Sequence, residues 1–154
     1  MLQISMNDTI MHGKESREAV YWLNGGNSLF DLAKYKPAIV CYDEAIRVDS
    51  TLADPWNRKG LAYYNLGRYA DAVECYGKAT ELDIEFADAW SNKGLALVNL
   101  NRHDEALECF CQVLLIDPSN ALAWCTKALI LEELQRDNEA EYALAKAVEL
   151  WSMA

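Results

Sequence analysis

Tryptophan recurs at Trp22, Trp56, Trp90 and Trp124, each 34 residues after the one before. A fixed period of this length means that one supersecondary unit repeats along the chain and that each unit packs mainly on its neighbours. With Ala19 as repeat position 1, position 8 holds Gly26, Gly60, Gly94 and Ala128, and position 20 holds Ala38, Ala72, Ala106 and Ala140. Position 24 holds Tyr42, Tyr76, Phe110 and Leu144, and position 27 holds Ala45, Ala79, Val113 and Ala147. Four units, 19–52, 53–86, 87–120 and 121–154, fill the chain behind an N-terminal extension of residues 1–18. That extension is expected to be partly flexible or to join the first helix.

The spacing within a unit is that of helices. In the second unit Trp56, Gly60 and Tyr63, then Val73, Tyr76 and Ala79, step by three or four residues, which places each set on one helix face. Gly67 and Asn101 are suited to the left-handed conformation that ends a helix. Pro37 and Pro55 fall in predicted first turns and Pro118 between helices, where the missing N–H does no harm. Thr51 followed by Asp54 offers an N-cap and a carboxylate at the positive end of a helix. The reading predicts helices at 17–32, 35–48, 53–66, 69–82, 87–100, 103–116, 121–134 and 137–151, paired into four stacked hairpins. Small residues at positions 8 and 20 let paired helices approach closely. The tryptophans and the aromatic of position 24 are expected to fill the space between neighbouring hairpins.

This order of Trp, Gly, Ala, aromatic and Ala resembles the tetratricopeptide repeat family over residues 19–154. Leu29, Leu97 and Leu131 depart from the family's tyrosine of position 11, and only Pro118 occupies its proline position, where Ser50, Ile84 and Ser152 stand in the other units. The resemblance implies an all-α fold, a right-handed superhelical solenoid of four stacked helix-turn-helix hairpins. Its first helices would line a concave groove through positions 2, 5, 6, 9, 12 and 13. The implied function is a protein–protein interaction scaffold or adaptor that holds an extended peptide, with no reaction and no cofactor.

At those positions the groove would present Asn24, Asn27, Asn57, Arg58, Leu61, Tyr64, Asn65, Asp88, Asn92, Leu95 and Asn99 as candidate peptide-binding residues. Amides both donate to and accept from a peptide backbone, and Leu61, Leu95 and Leu129 form an apolar strip beside them. Asp31, Asp54, Asp88, Glu132 and Glu133 face Arg58 alone, a formal groove charge of −4 that favours a basic or mixed apolar segment. From the N-terminal extension through the four units the charge runs −1, −1, −2, −3 and −3, a gradient along which a basic partner would orient. Family members that grip a chaperone's C-terminal carboxylate use a Lys and Asn pattern that this chain lacks; only Asn27, or only Asn92 in the shifted register, agrees. The run Ala87 to Asn92 is more similar to the repeats of O-linked N-acetylglucosamine transferase, from whose asparagine ladder Asn24 and Asn92 carry over.

The net charge of −10 repels phosphate backbones and anionic lipids, which argues against nucleic-acid and membrane partners. Apolar runs of four residues are far short of the ~18 that span a bilayer. Five cysteines with no CxxC pair and no leader-like segment point to free thiols and a cytoplasmic protein. Cys41, Cys75 and Cys109 are themselves 34 apart, on equivalent helices too widely spaced for a disulfide or a zinc shell. His12 and His103 are the only histidines, and His103 reads as a surface residue at a helix start. No catalytic motif occurs, and no metal site is expected. At the C-terminal end Tyr142, Leu144, Val148 and Trp151 include places that would pack on a following repeat. They are the expected surface of a homo-oligomer, which makes a self-assembling structural module the alternative function; the regulatory subunit of an enzyme ranks behind both.

Overall fold

The structure, a computed structural model, describes the backbone of residues 2–153 and the side chains of residues 17–153. It is built of α1 (Leu2–Asp31), α2 (Tyr35–Val48), α3 (Ala53–Asn65), α4 (Tyr69–Leu82), α5 (Ala87–Asn99), α6 (His103–Ile116), α7 (Ala121–Glu133) and α8 (Asp137–Ser152), with no strand among the described residues. Each helix packs chiefly on its hairpin partner, each of α2, α4 and α6 packs next on the first helix of the following hairpin, and α3 also touches α1 and α5. The result is a right-handed solenoid of four hairpins. The start expected near residue 17 falls inside α1; the side chain of His12 lies outside the described residues.

The first helix of each hairpin ends on a left-handed residue at position 15: Ala33, Gly67, Asn101 and Gln135, with φ of 56°, 72°, 57° and 57°. The N–H of the following residue, Lys34, Arg68, Arg102 or Arg136, reaches back 2.9 Å to the carbonyl of Leu29, Tyr63, Leu97 or Leu131. This satisfies a carbonyl that the helix end would leave unpaired. The geometry is therefore imposed on all four turns, although only Gly67 and Asn101 announce it. Ala33 and Gln135 carry a Cβ penalty there.

The loops between hairpins follow a second rule. The carboxylates of Asp49, Asp83 and Asp117 accept the backbone N–H two residues on at 3.0 Å, and Asp49 and Asp117 also take the hydroxyls of Thr51 and Ser119 at 2.6 Å. Thr51 is thereby drawn into the loop and does not cap α3; Leu52 stands at the N-cap in extended conformation with no side-chain cap. Asp54 does lie in the first turn of α3. Asn120 caps α7 instead, accepting the Ala123 N–H at 2.9 Å.

The ring at position 24 sits against the glycine of its own hairpin, so it fills more than the space between hairpins. A Cβ added to Gly26, Gly60 or Gly94 would lie 2.5, 2.6 or 2.6 Å from a ring carbon of Tyr42, Tyr76 or Phe110, far inside contact distance. In the last hairpin the same two repeat positions hold the smaller Leu144 and Ala128. The four periodic tryptophans, Trp22, Trp56, Trp90 and Trp124, are half-buried pins, not central core. Trp90 and Trp124 donate their indole N–H to the carbonyls of Ile84 and Pro118 at 2.9 and 3.0 Å, tying each loop to the hairpin it enters. Lys59, Lys93 and Lys127 lie 5.2–5.4 Å from the centroids of Trp56, Trp90 and Trp124.

Two of the core rings carry hydroxyls with different fates. The Tyr42 hydroxyl donates to Asn27 Oδ1 at 3.0 Å, whereas the buried Tyr76 hydroxyl has no hydrogen-bond partner among the described residues. The reason is in the repeat: position 9 is Asn27 in the first hairpin and Leu61 in the second. Tyr76→Phe should accordingly leave stability unchanged or raise it by up to ~1 kcal/mol, while Tyr42→Phe should cost about 1 kcal/mol. Chemical denaturation of the two variants checks this, and a larger loss for Tyr76→Phe would refute it. By the same method Gln135→Gly should stabilise by about 0.5–1 kcal/mol, because it relieves the left-handed penalty.

All five cysteines are free. Burial pushes the Cys75 and Cys109 thiols from about 9 up to about 11, so both stay protonated in the fold where an unfolded chain would ionise. Their linkage keeps stability intact below pH 9 and lowers it as the pH rises towards 11. The denaturation midpoint should fall across that window, and less steeply in the Cys75→Ala, Cys109→Ala double variant.

Candidate functional site

The first helices α1, α3, α5 and α7 lie side by side and form the inner face of the superhelix. Its N-terminal part is polar and internally bonded. Asn57 is 5% exposed, and its Oδ1 accepts a hydrogen bond from Asn92 Nδ2 at 3.1 Å across the α3–α5 boundary. Asn99 Nδ2 crosses the same boundary to the Tyr64 hydroxyl at 3.0 Å and also reaches its own helix at Leu95 O, at 2.9 Å. Asn65 turns back to Leu61 O at 2.8 Å, and Asn27 is held by Tyr42. Asn24 is exposed, with no side-chain hydrogen bond to the described residues. Two cross-helix bonds thus fix the spacing of α3 and α5, and they leave one N–H of Asn92 and the Oδ1 oxygens of Asn92 and Asn99 without a hydrogen bond to the described residues.

Arg58 Nε stands 3.5 Å from Asp54 Oδ1 and makes no hydrogen bond. Asp88 is exposed on the first turn of α5. Leu61 is half-buried against the cluster of Ala72, Tyr76 and Ala96, whereas Leu95 and Leu129 are exposed. The apolar strip expected along the face is therefore open only in its C-terminal half. There α5 and α7 part to leave a slot of about 360 Å³, lined by Leu95, Val98, His103, Thr126, Leu129, Ile130, Glu132 and Glu133.

His103 opens α6 as expected, but it is half-buried where a surface residue is expected: it lines this slot, with a buried Nδ1 that has no partner among the described residues. A periodic signal marks its place. Tyr35 and Tyr69, which stand where His103 does, meet Phe30 and Tyr64 of the preceding helix edge-on at 5.2 and 5.1 Å. Position 17 is therefore a wall of the inner face, not outer surface.

A larger hollow, about 490 Å³, lies between α3 and α4 among Trp56, Lys59, Tyr63 and Gly77. Its aromatic faces are covered by the chain's own Lys59 ammonium, 5.4 Å from Trp56 and 5.8 Å from Tyr63, which Asp43 holds at 2.6 Å. Among the described residues no group of His, Cys, Asp and Glu is arranged to hold a metal ion, and no helix is long and apolar enough to cross a membrane.

At the C-terminal end Leu144 and Val148 are 44% and 56% exposed, while Phe110 and Leu114, at the same places one hairpin earlier, are buried. Trp151 is exposed beside them, and Tyr142 leans edge-on against Trp124 of its own hairpin at 6.1 Å.

No curated protein matches the chain. Among solved structures, MamA superposes with a TM-score of 0.85 at 22% identity over 95% of this chain and 85% of that one. MamA 41-end from Desulfovibrio magneticus RS-1 superposes at 0.80, with 24% identity over 86% of this chain and 75% of its own. The first TPR of Spaghetti (RPAP3), bound to the HSP90 peptide SRMEEVD, gives 0.75 at 28% identity over 78% of this chain and 95% of that one. The profile described as TPR repeat matches residues 26–67 and 60–101, and profiles described as tetratricopeptide repeat match 87–120 and 121–150. With the 34-residue period, the left-handed turns and the ring-on-glycine hairpins all in register with those matches, the chain belongs to the tetratricopeptide repeat family.

Proposed function

We propose that the chain is a non-enzymatic protein-interaction adaptor of the cytoplasm, with a single repeat domain over residues 19–154 whose inner face holds an extended segment of a partner protein. The observation that carries this reading is the chemistry of that face: amides fixed in a row by Asn92→Asn57 and Asn99→Tyr64, then exposed leucines, then two carboxylates. Pre-fixed amides bind a peptide backbone without first losing their own freedom. The structural relative solved with a bound HSP90 peptide supports the use of this fold for peptide recognition. The acidic face favours lysine or arginine beside apolar side chains, unlike the acidic peptide of that relative.

Peptides selected from an unbiased display library should map by NMR to α1, α3, α5 and α7 and be enriched in Lys or Arg. Replacing Asn57 and Asn92 together with Ala should weaken them about thirtyfold, at ~1 kcal/mol for each of the two peptide hydrogen bonds that Asn92 can make. Peptides that footprint on α2, α4 and α6, or an unchanged affinity in the double variant, would sink the reading.

The exposure of Leu144 and Val148, where the preceding hairpin is covered, supports a second reading in which α8 joins copies of the chain. Light scattering over a concentration series should then show a rising mass that Leu144→Lys with Trp151→Glu abolishes. A monomer at ~100 µM, well above the Kd of such a contact, would dismiss it.

A further inference from the structure

The slot between α5 and α7 owes its existence to one break in the repeat. In the first two hairpins the aromatic pairs Phe30–Tyr35 and Tyr64–Tyr69 occupy positions 12 and 17 of the inner face. The third hairpin has Val98 and His103 there. The lost ring volume is not refilled by α7, which presents the exposed Leu129 and the buried Ile130 as wall and floor. The space left, about 360 Å³, is roughly a dozen times the ~30 Å³ share of one liquid water, enough to admit a large side chain without rearranging its walls.

The charge beside the slot is as unusual as its shape. Glu132 and Glu133 close α7, at the negative end of its dipole, with no basic residue in that turn. Neither carboxylate has an ion-pair partner among the described residues; Arg136, the nearest cation in sequence, is engaged by Glu139 at 2.7 Å. Phe30–Asp31, Tyr64–Asn65 and Val98–Asn99 hold the equivalent places, so a paired acid occurs in this hairpin alone. Two carboxylates at a helix C-terminus raise the folded state's energy, and a cation from outside relieves them.

We infer that this slot is the anchoring subsite of the groove, taking a large aliphatic side chain, leucine or methionine, of a partner segment whose adjacent residue is Arg or Lys and pairs with Glu132 and Glu133. The inference rests on the groove reading above and adds to it the position of the anchor and the two residue types it selects. An aliphatic side chain fits walls that are Leu, Val and Ile. The guanidinium or ammonium is then set over the α7 terminus by covalent adjacency to the anchor, which gives the pair its specificity.

The probe is a short blocked peptide with a central Leu-Arg pair among Ala and Asn, titrated into 15N-labelled protein beside its Leu→Ala and Arg→Glu derivatives. Amide shifts should centre on Leu95–Asn99 and Thr126–Glu133. The Leu→Ala peptide should bind about tenfold more weakly or worse. Glu132→Gln with Glu133→Gln should remove most of the preference for Arg over Glu. Val98→Tyr, which restores the residue of the preceding hairpin, should abolish the shifts without lowering the melting temperature. Leu129→Asn, at an exposed position, serves the same purpose with no change in the core. Shifts confined to the α1–α3 half, or equal binding by Val98→Tyr and Leu129→Asn, would overturn the anchor and leave the groove reading standing. Shifts on the outer helices, or none, would overturn both.

Discussion

The contact on which this molecule depends is the meeting of a ring at position 24 with a glycine at position 8, made by Tyr42 on Gly26, Tyr76 on Gly60 and Phe110 on Gly94. With hydrogen in place of a Cβ, the second helix of each of these three hairpins closes until its ring meets the glycine backbone. Because interiors are packed nearly as densely as crystals, the same pair of residues yields the same hairpin each time. The last hairpin shows the rule in reverse: where the ring shrinks to Leu144, the glycine grows to Ala128. Equal hairpins stack at equal intervals, and the first helices therefore present equivalent positions in a regular row along the inner face.

Regular stacking separates two sets of residues with different duties. Ring, glycine and alanine positions are fixed by packing, and the turns are fixed by the Schellman bonds that place Ala33 and Gln135 in a conformation better suited to glycine. The inner-face positions differ from hairpin to hairpin. Their differences create a polar stretch across α3 and α5 and an apolar, acidic stretch at α5 and α7. The polar stretch is also structural: Asn57 is almost wholly covered, so its amide stabilises the spacing of two helices by bonding Asn92 before it can serve any ligand.

Departures from strict periodicity carry most of the individual character of the chain. Leu61 in place of asparagine packs on the cluster around Tyr76 but leaves the Tyr76 hydroxyl with no hydrogen-bond partner among the described residues. Val98 and His103 in place of an aromatic pair open a slot. Glu132 and Glu133 put like charge at the end of a helix that would favour a cation. The first weakens the core, while the second and third adjoin one another on the face that a partner would meet.

By itself the sequence determined the number of hairpins, the helix type and nearly every helix boundary, because a 34-residue period and a three-to-four-residue apolar step are local, additive signals that repetition amplifies. The resemblance to the repeat family supplied the candidate positions along the row. Only the tertiary structure decided which of those residues are available. Asn57, Asn65 and Asn92 look alike as letters; one is buried, one folds back on its own helix and one bridges to the next. His103 became a wall of the groove only when α7 was laid beside α5, and Thr51 lost its capping role only when the Asp49 carboxylate took its hydroxyl. Such outcomes depend on which of several hydrogen-bond partners or neighbours lies closest, and that is settled by contacts between helices that no single repeat contains.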